Sequence, residues 1–284
     1  MNQIGTRVLR FIVMPILVVA AYYAIIGLAV QIGYSLYDDN YMAHEGFIYF
    51  IEGIIGLILI SCWILFKKRF VFSTPKFGIG KQEDYVYAVM MTLAMLGIAT
   101  LYFFLVERLE VQAVQDSLDD YHEMIEIAEN SKIDIYLNLI ASCIFIPILE
   151  ELLFRGLVMN GMLECANPVI SIIMSGVFFG LMHLQAIQVG YAILAGIMLG
   201  TIYYLTNNIL MSILSHMLFN FLGVGIYMLF TISDHTSYIL MIIEFASIAI
   251  AAVLTVIMAL KHKERFPKEE KTGDINKMLP GRHT

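Results

Sequence analysis

Glu150 and Glu151 stand side by side in the run Ile146-Pro147-Ile148-Leu149-Glu150-Glu151-Leu152-Leu153-Phe154-Arg155-Gly156, inside an otherwise apolar stretch. Ionisable groups at membrane depth cost about 2.5–3.5 kcal/mol each on insertion scales, and by default they mark function. Helical geometry sorts the three. Glu151 and Arg155 are i,i+4 and can pair, whereas Glu150 points about 100° away and is left for another helix. His183 follows Phe179 by four residues, and Asn220 follows His216 by four, so each pair shares a helix face. A carboxylate beside an imidazole in a dry cavity can hold a water and deprotonate it as general base. A second imidazole and an amide one turn apart can donate hydrogen bonds to a developing oxyanion. Arg155 neutralises and orients Glu151, which leaves Glu150 as the base. Glu150, His183 and His216 would equally suit Zn2+ with a bound water. Both mechanisms need the same side chains converging on one water, so the sequence leaves open the choice between zinc and no cofactor.

Composition fixes what must carry these residues. Apolar residues make up 60% of the 284 and charged residues 14%, against about 45–50% and about 25% in soluble domains. The surplus must face lipid. Apolar runs of membrane length lie near 10–33, 47–66, 85–106, 133–162, 168–184, 189–206, 209–231 and 238–260. The expected fold is an all-α membrane protein, a bundle of about eight transmembrane helices. The first run, preceded by Arg7 and Arg10, is too long for a signal-peptide core and reads as a retained span. Cys62, Cys143 and Cys165 show no ligand spacing and read as small buried hydrophobes.

Loop charges orient the bundle. Lys67, Lys68, Arg69, Lys76 and Lys81 crowd one loop, and the tail from Lys261 onward is again rich in Lys and Arg. The positive-inside rule puts both ends and that loop in the cytoplasm. The segment 107–132 carries eight acidic residues against Arg108 and Lys132, and is expected outside as a short interfacial helix. The net charge of −7 reflects this loop and does not point to nucleic acid. Three regions follow: 1–132 with three spans and the acidic loop, a four-span core over 133–231, and 232–284 with the last span and a polar tail.

The elements should bring the polar groups to one level. Glu150 and His183 lie about 23 and about 26 Å from the turn near Cys165, and His216 and Asn220 about 13–20 Å past the Asn207-Asn208 turn, at 1.5 Å per residue. Gly176 and Gly180, and likewise Gly196 and Gly200, are spaced for close helix approach. Pro147 is expected to kink its helix and free carbonyls near the site. Glu52, near a span boundary where it could snorkel, and Glu244, six residues into the last run, are weaker candidates. His235 reads as solvated.

The motifs Glu150-Glu151-x-x-x-Arg155, Phe179-x-x-x-His183 and His216-x-x-x-Asn220, in that order, resemble those of the CPBP intramembrane proteases. That family includes type II CAAX prenyl endopeptidases and bacteriocin-processing and immunity relatives. The resemblance covers about 145–225 and implies eight spans around a central polar cavity open to the cytoplasm. It implies that Glu150 and His183 activate water while His216 and Asn220 form the oxyanion hole; zinc and glutamate mechanisms have both been described for the family. Short loops point to a member in a bacterial cell membrane. Its partners would be lipid and a peptide precursor or membrane-anchored protein, with no nucleic acid. The rival readings are a non-catalytic immunity-type protein and a proton relay or transporter, the latter weakened by the lack of a repeat or paired broken helices.

Overall fold

Long apolar runs in lipid must satisfy their own backbone, and helices do so within one segment. The computed structural model describes residues 3–66, 77–126 and 131–266, and among these every regular element is helical. We number α1 (Met14–Tyr37), which continues short turns over Gln3–Val8 and Leu9–Val13, then α2 (Glu45–Phe66), α3 (Gln82–Val106), α4 (Gln112–Glu126), α5 (Lys132–Leu163), α6 (Pro168–Leu181), α7 (Ala186–Thr206), α8 (Ile209–Leu229) and α9 (Asp234–Arg265). Six helical runs among the described residues are long and apolar enough to cross a membrane. The first, Ile4–Phe66, holds both α1 and α2, folded against each other at the 3-10 turn Asp38–His44. The chain is an integral membrane bundle. The fifth apolar run gives only the 14 residues of α6, about 21 Å of helix against a hydrocarbon core of about 30 Å. It ends at Leu181, before His183, which therefore sits in a turn and not on the helix expected for it.

Contacts at the ends of the helices define the two ends of the bundle. At one end Arg10 pairs with Glu164, Asn208 donates to the Gly78 carbonyl at 2.7 Å, and Arg265 grips Asp84 through two bonds of 2.8 and 3.1 Å. At the other, the buried Asp134 carboxylate accepts from the Gly46 and Phe47 amides at 3.0 Å each, supplying partners for the first turn of α2. The expected helix in the acidic segment is present as α4, whose Leu118 and Tyr121 pack on Val106 and Ile187 at this second end. Lys67, Lys68, Arg69 and Lys76, and the tail beyond Phe266, lie outside the described residues.

The small-residue spacing does the work expected of it between α6 and α7. A Cβ on Gly176 would fall 2.7 Å from the Ile197 amide nitrogen, and one on Gly180 would fall 2.7 Å from that of Ile193. Backbone meets backbone there, so neither side can yield by a rotamer change. Replacing Gly180 by Ala should lower stability by about 1–3 kcal/mol through this overpacking. Thermal unfolding in detergent checks it, with Gly27→Ala as control, since a Cβ at Gly27 meets nothing within 4 Å.

Candidate active site

Pro147 sets the local geometry from which the site is built. The stretch Ala141–Phe145 of α5 is π-helical, with the Ile146 amide bonded back to the Ala141 carbonyl. In that register the next amide would bond Ser142, but residue 147 is proline and has no N–H. The Ser142 carbonyl is freed, and Asn220 Nδ2 of α8 donates to it at 2.8 Å. The kink expected at Pro147 thus takes the form of a widened turn. A second π-helical stretch, Leu152–Met159, follows directly, so Glu150 and Glu151 sit on one α-helical turn between two widened ones. A third, Phe221–Gly225, begins at the residue after Asn220.

The expected pairing of Glu151 with Arg155 is present at 2.9 Å, both side chains fully buried. The Arg155 guanidinium also donates to the Gly196 carbonyl at 2.8 Å and stacks 4.7 Å over the Phe179 ring. Glu151 Oε1 in turn faces His216 Nδ1 at 3.1 Å. A carboxylate paired with arginine only accepts, so His216 Nδ1 carries the proton. His216 Nε2 then points toward Glu150 Oε2, 3.7 Å away. His216 therefore bridges the two glutamates. One proton placed on His216 Nε2 or on Glu150 makes this buried group of two carboxylates, guanidinium and imidazole neutral overall, as a low-dielectric site requires.

Glu150 Oε1 accepts a hydrogen bond of 3.0 Å from the Tyr22 hydroxyl of α1. The same hydroxyl lies against the carboxyl of Glu52 on α2, which is 2% exposed. Glu52 is thus drawn inward to Tyr22 instead of snorkelling to a boundary. Tyr22 carried no sequence signal, because one tyrosine in a lipid-length run reads as an interfacial ring. His183 stands in the turn after α6, its Nδ1 3.0 Å from the Phe179 carbonyl. A carbonyl only accepts, so Nδ1 is protonated and Nε2 keeps its lone pair. Two features hold this turn: the Tyr23 hydroxyl donates to the Met182 carbonyl, and Leu184 adopts a left-handed φ of 59°. Such a backbone is uncommon for leucine and tends to occur at functional sites. Phe179 ties the parts together, its ring edge-on to Phe154, His183 and His216 at centroid distances of 5.3, 5.2 and 5.6 Å.

Glu150, His183, His216, Asn220, Tyr22 and Phe179 all line one cavity of about 480 Å³. The cavity runs from these residues to Tyr121, Gln188 and Tyr191, at the end of the bundle where α4 packs. Glu244 lines it as well, accepting from Thr100 at 3.0 Å. Two expectations therefore conflict: the loop charges put the α4 end outside, whereas the resemblance has the cavity open to the cytoplasm. The arrangement also bears on zinc. Each histidine is held through Nδ1, His216 by Glu151 and His183 by the Phe179 carbonyl, a pattern that metal-bound and water-binding histidines share, and no three His, Cys, Asp or Glu side chains among the described residues converge as metal ligands. As placed, Glu150, His183 and His216 do not form a three-ligand metal centre.

Residues 132–222 match the family model described as "Rce1-like: Type II CAAX prenyl endopeptidase Rce1-like". The matched stretch spans α5 through most of α8 and includes all three motifs. Searches of curated proteins and of solved structures return no match.

The ion pair makes a direct prediction. Arg155→Met strands the Glu151 charge in a fully buried position and should destabilise by about 3–5 kcal/mol, while the double change with Glu151→Met should recover much of the loss. Thermal unfolding of the purified variants in detergent measures both.

Proposed function

We propose, from a chain whose core belongs to the CPBP/CAAX family of membrane proteases, that this protein is an intramembrane endopeptidase of the glutamate-dependent kind. It hydrolyses a peptide bond in a peptide precursor or membrane-anchored protein. The observation that carries this reading is one cavity lined by Glu150, His183, His216 and Asn220, with Glu150 and His216 each oriented by a second buried group.

Water binds between Glu150 and the free Nε2 of His183. As its oxygen attacks the scissile carbonyl, Glu150 takes the proton. His216 holds Nδ1–H on Glu151 and, when Nε2 is also protonated, offers that N–H to the oxyanion. The second N–H of Asn220, whose first is spent on Ser142, offers another. Collapse of the tetrahedral intermediate breaks the C–N bond, and Glu150 returns its proton to the leaving amine. Tyr22 positions Glu150, and the Arg155–Glu151 pair fixes the tautomer of His216. The region 133–231 supplies the reacting groups, and α1, α3 and α9 supply cavity wall.

The basic segments orient the bundle with its ends in the cytoplasm, so in our reading the cavity faces the opposite, non-cytoplasmic side of a bacterial cell membrane. Its substrates are then presented after translocation. This departs from the cytoplasmic opening that the resemblance implies, and the charge pattern of this chain is the reason.

Purified protein given a membrane-anchored reporter peptide should cleave it, and Glu150→Gln or His183→Ala should each reduce the rate by about 10²-fold or more, the usual contribution of acid–base groups. Cleavage that persists in both variants would refute the assignment. Zinc content should be substoichiometric and the rate insensitive to chelator; stoichiometric zinc with chelator inhibition would replace the glutamate mechanism by a metal one.

A further inference from the structure

Glu244 is a carboxylate that the hydrolytic machinery does not use, and it faces the same cavity. Thr100 donates to one of its oxygens at 3.0 Å. Among the described residues it has no cationic partner, in contrast to Glu151 and Asp84, which are paired with arginines. The one side-chain hydrogen bond donated to this cavity carboxyl is thus from a neutral hydroxyl, which leaves it able to take a cationic partner from a ligand.

The cavity wall that Glu244 shares also carries aromatic rings. Phe103, one turn along α3 from Thr100, lines the cavity together with Tyr121 and Tyr191. These three rings pack on one another, Phe103 lying 5.5 Å from each tyrosine, and the tyrosine hydroxyls meet at 3.3 Å. Aromatic rings in the same cavity as a carboxylate add cation–π attraction to charge in favouring an ammonium or guanidinium. A second observation points the same way. Tyr121 belongs to α4, whose exposed Asp116, Asp119 and Asp120 put negative charge at this end of the cavity. A field of one sign at the entrance of a low-dielectric cleft concentrates ligands of the other.

We infer that the end of the cavity formed by Glu244, Thr100, Phe103, Tyr121 and Tyr191 is a subsite for an organic cation on the bound peptide, a lysine or arginine side chain or a free α-ammonium. The inference rests on the peptidase reading only in taking a peptide as ligand. The cation docks on Glu244 beside the aromatic rings, while the backbone extends toward Glu150 and His183. Selectivity for basic residues near the scissile bond follows from this wall and not from the reacting groups.

Binding measured apart from cleavage tests it. Full-length purified protein in nanodiscs is titrated into peptides carrying an uncharged fluorophore, capped at both ends and identical except for lysine or norleucine at one position. A third peptide has norleucine and a free N-terminus. Fluorescence polarisation should show the lysine or the free-amine peptide binding on the order of tenfold tighter than the capped norleucine peptide, the gain typical of a partly desolvated charge pair; which of the two gains identifies the source of the cation. In Glu244→Gln that ratio should fall to about one, and Glu244→Lys should favour a glutamate-bearing peptide. Equal affinities in the native protein overturn the subsite whether or not the variants fold, and so does a preference that survives Glu244→Gln. Cleavage of the norleucine peptide is followed in parallel. Discrimination without cleavage overturns the peptidase reading alone, and cleavage without discrimination overturns the subsite alone.

Discussion

The buried pair of Glu151 and Arg155 is the constraint on which the rest of the site depends. Neither group can be left alone at 0% exposure, because an uncompensated charge in this interior costs several kcal/mol. Once paired they dictate their neighbours. Arg155 reaches α7 at the Gly196 carbonyl and lies over Phe179 of α6. Glu151, its charge fixed, orders His216 of α8 into one tautomer. Four helices are thereby set around Glu150, whose own carboxylate remains available to the cavity.

The close helix approach serves the same end. Gly176 and Gly180 let α6 settle against α7 with almost nothing between the backbones. That contact brings Phe179 within reach of both Arg155 and His216, and it delivers His183 to the cavity wall from a turn instead of a helix. Tyr23, bonded to the Met182 carbonyl, anchors that turn from α1. Loops hold reactive groups well when rigid elements pin them on both sides.

Much of this was legible in the residues themselves. Apolar run length gave the helices, and i,i+4 spacing gave the Glu151–Arg155 pair, because both are local properties of one helix. The convergence of Glu150, His183, His216 and Asn220 on one cavity followed from matching depths. What escaped was contact between elements far apart in the chain. Tyr22 meets Glu150 across 128 residues, and no period within α1 marks it. Glu244 stood out as a charge in an apolar run, yet its place in the cavity wall depends on how α9 lies along α3. The end of α6 ahead of His183 was also hidden, since the apolar character of the run continues past the last helical residue. The cavity's course toward α4 was hidden too, since the packing of Leu118 and Tyr121 on Val106 and Ile187 joins elements far apart in the chain.

Pro147 and Asn220 lie in different helices, and no side-chain contact between them is needed for one to depend on the other. The proline withholds an amide from Ser142, and the asparagine takes the vacant carbonyl. Any residue with an N–H at 147 would compete for that oxygen and release the amide from its post. The two positions therefore form a single heritable unit: in chains that share this core they should change together, and a proline lost from the middle of α5 should be read first as a change at the tip of the asparagine.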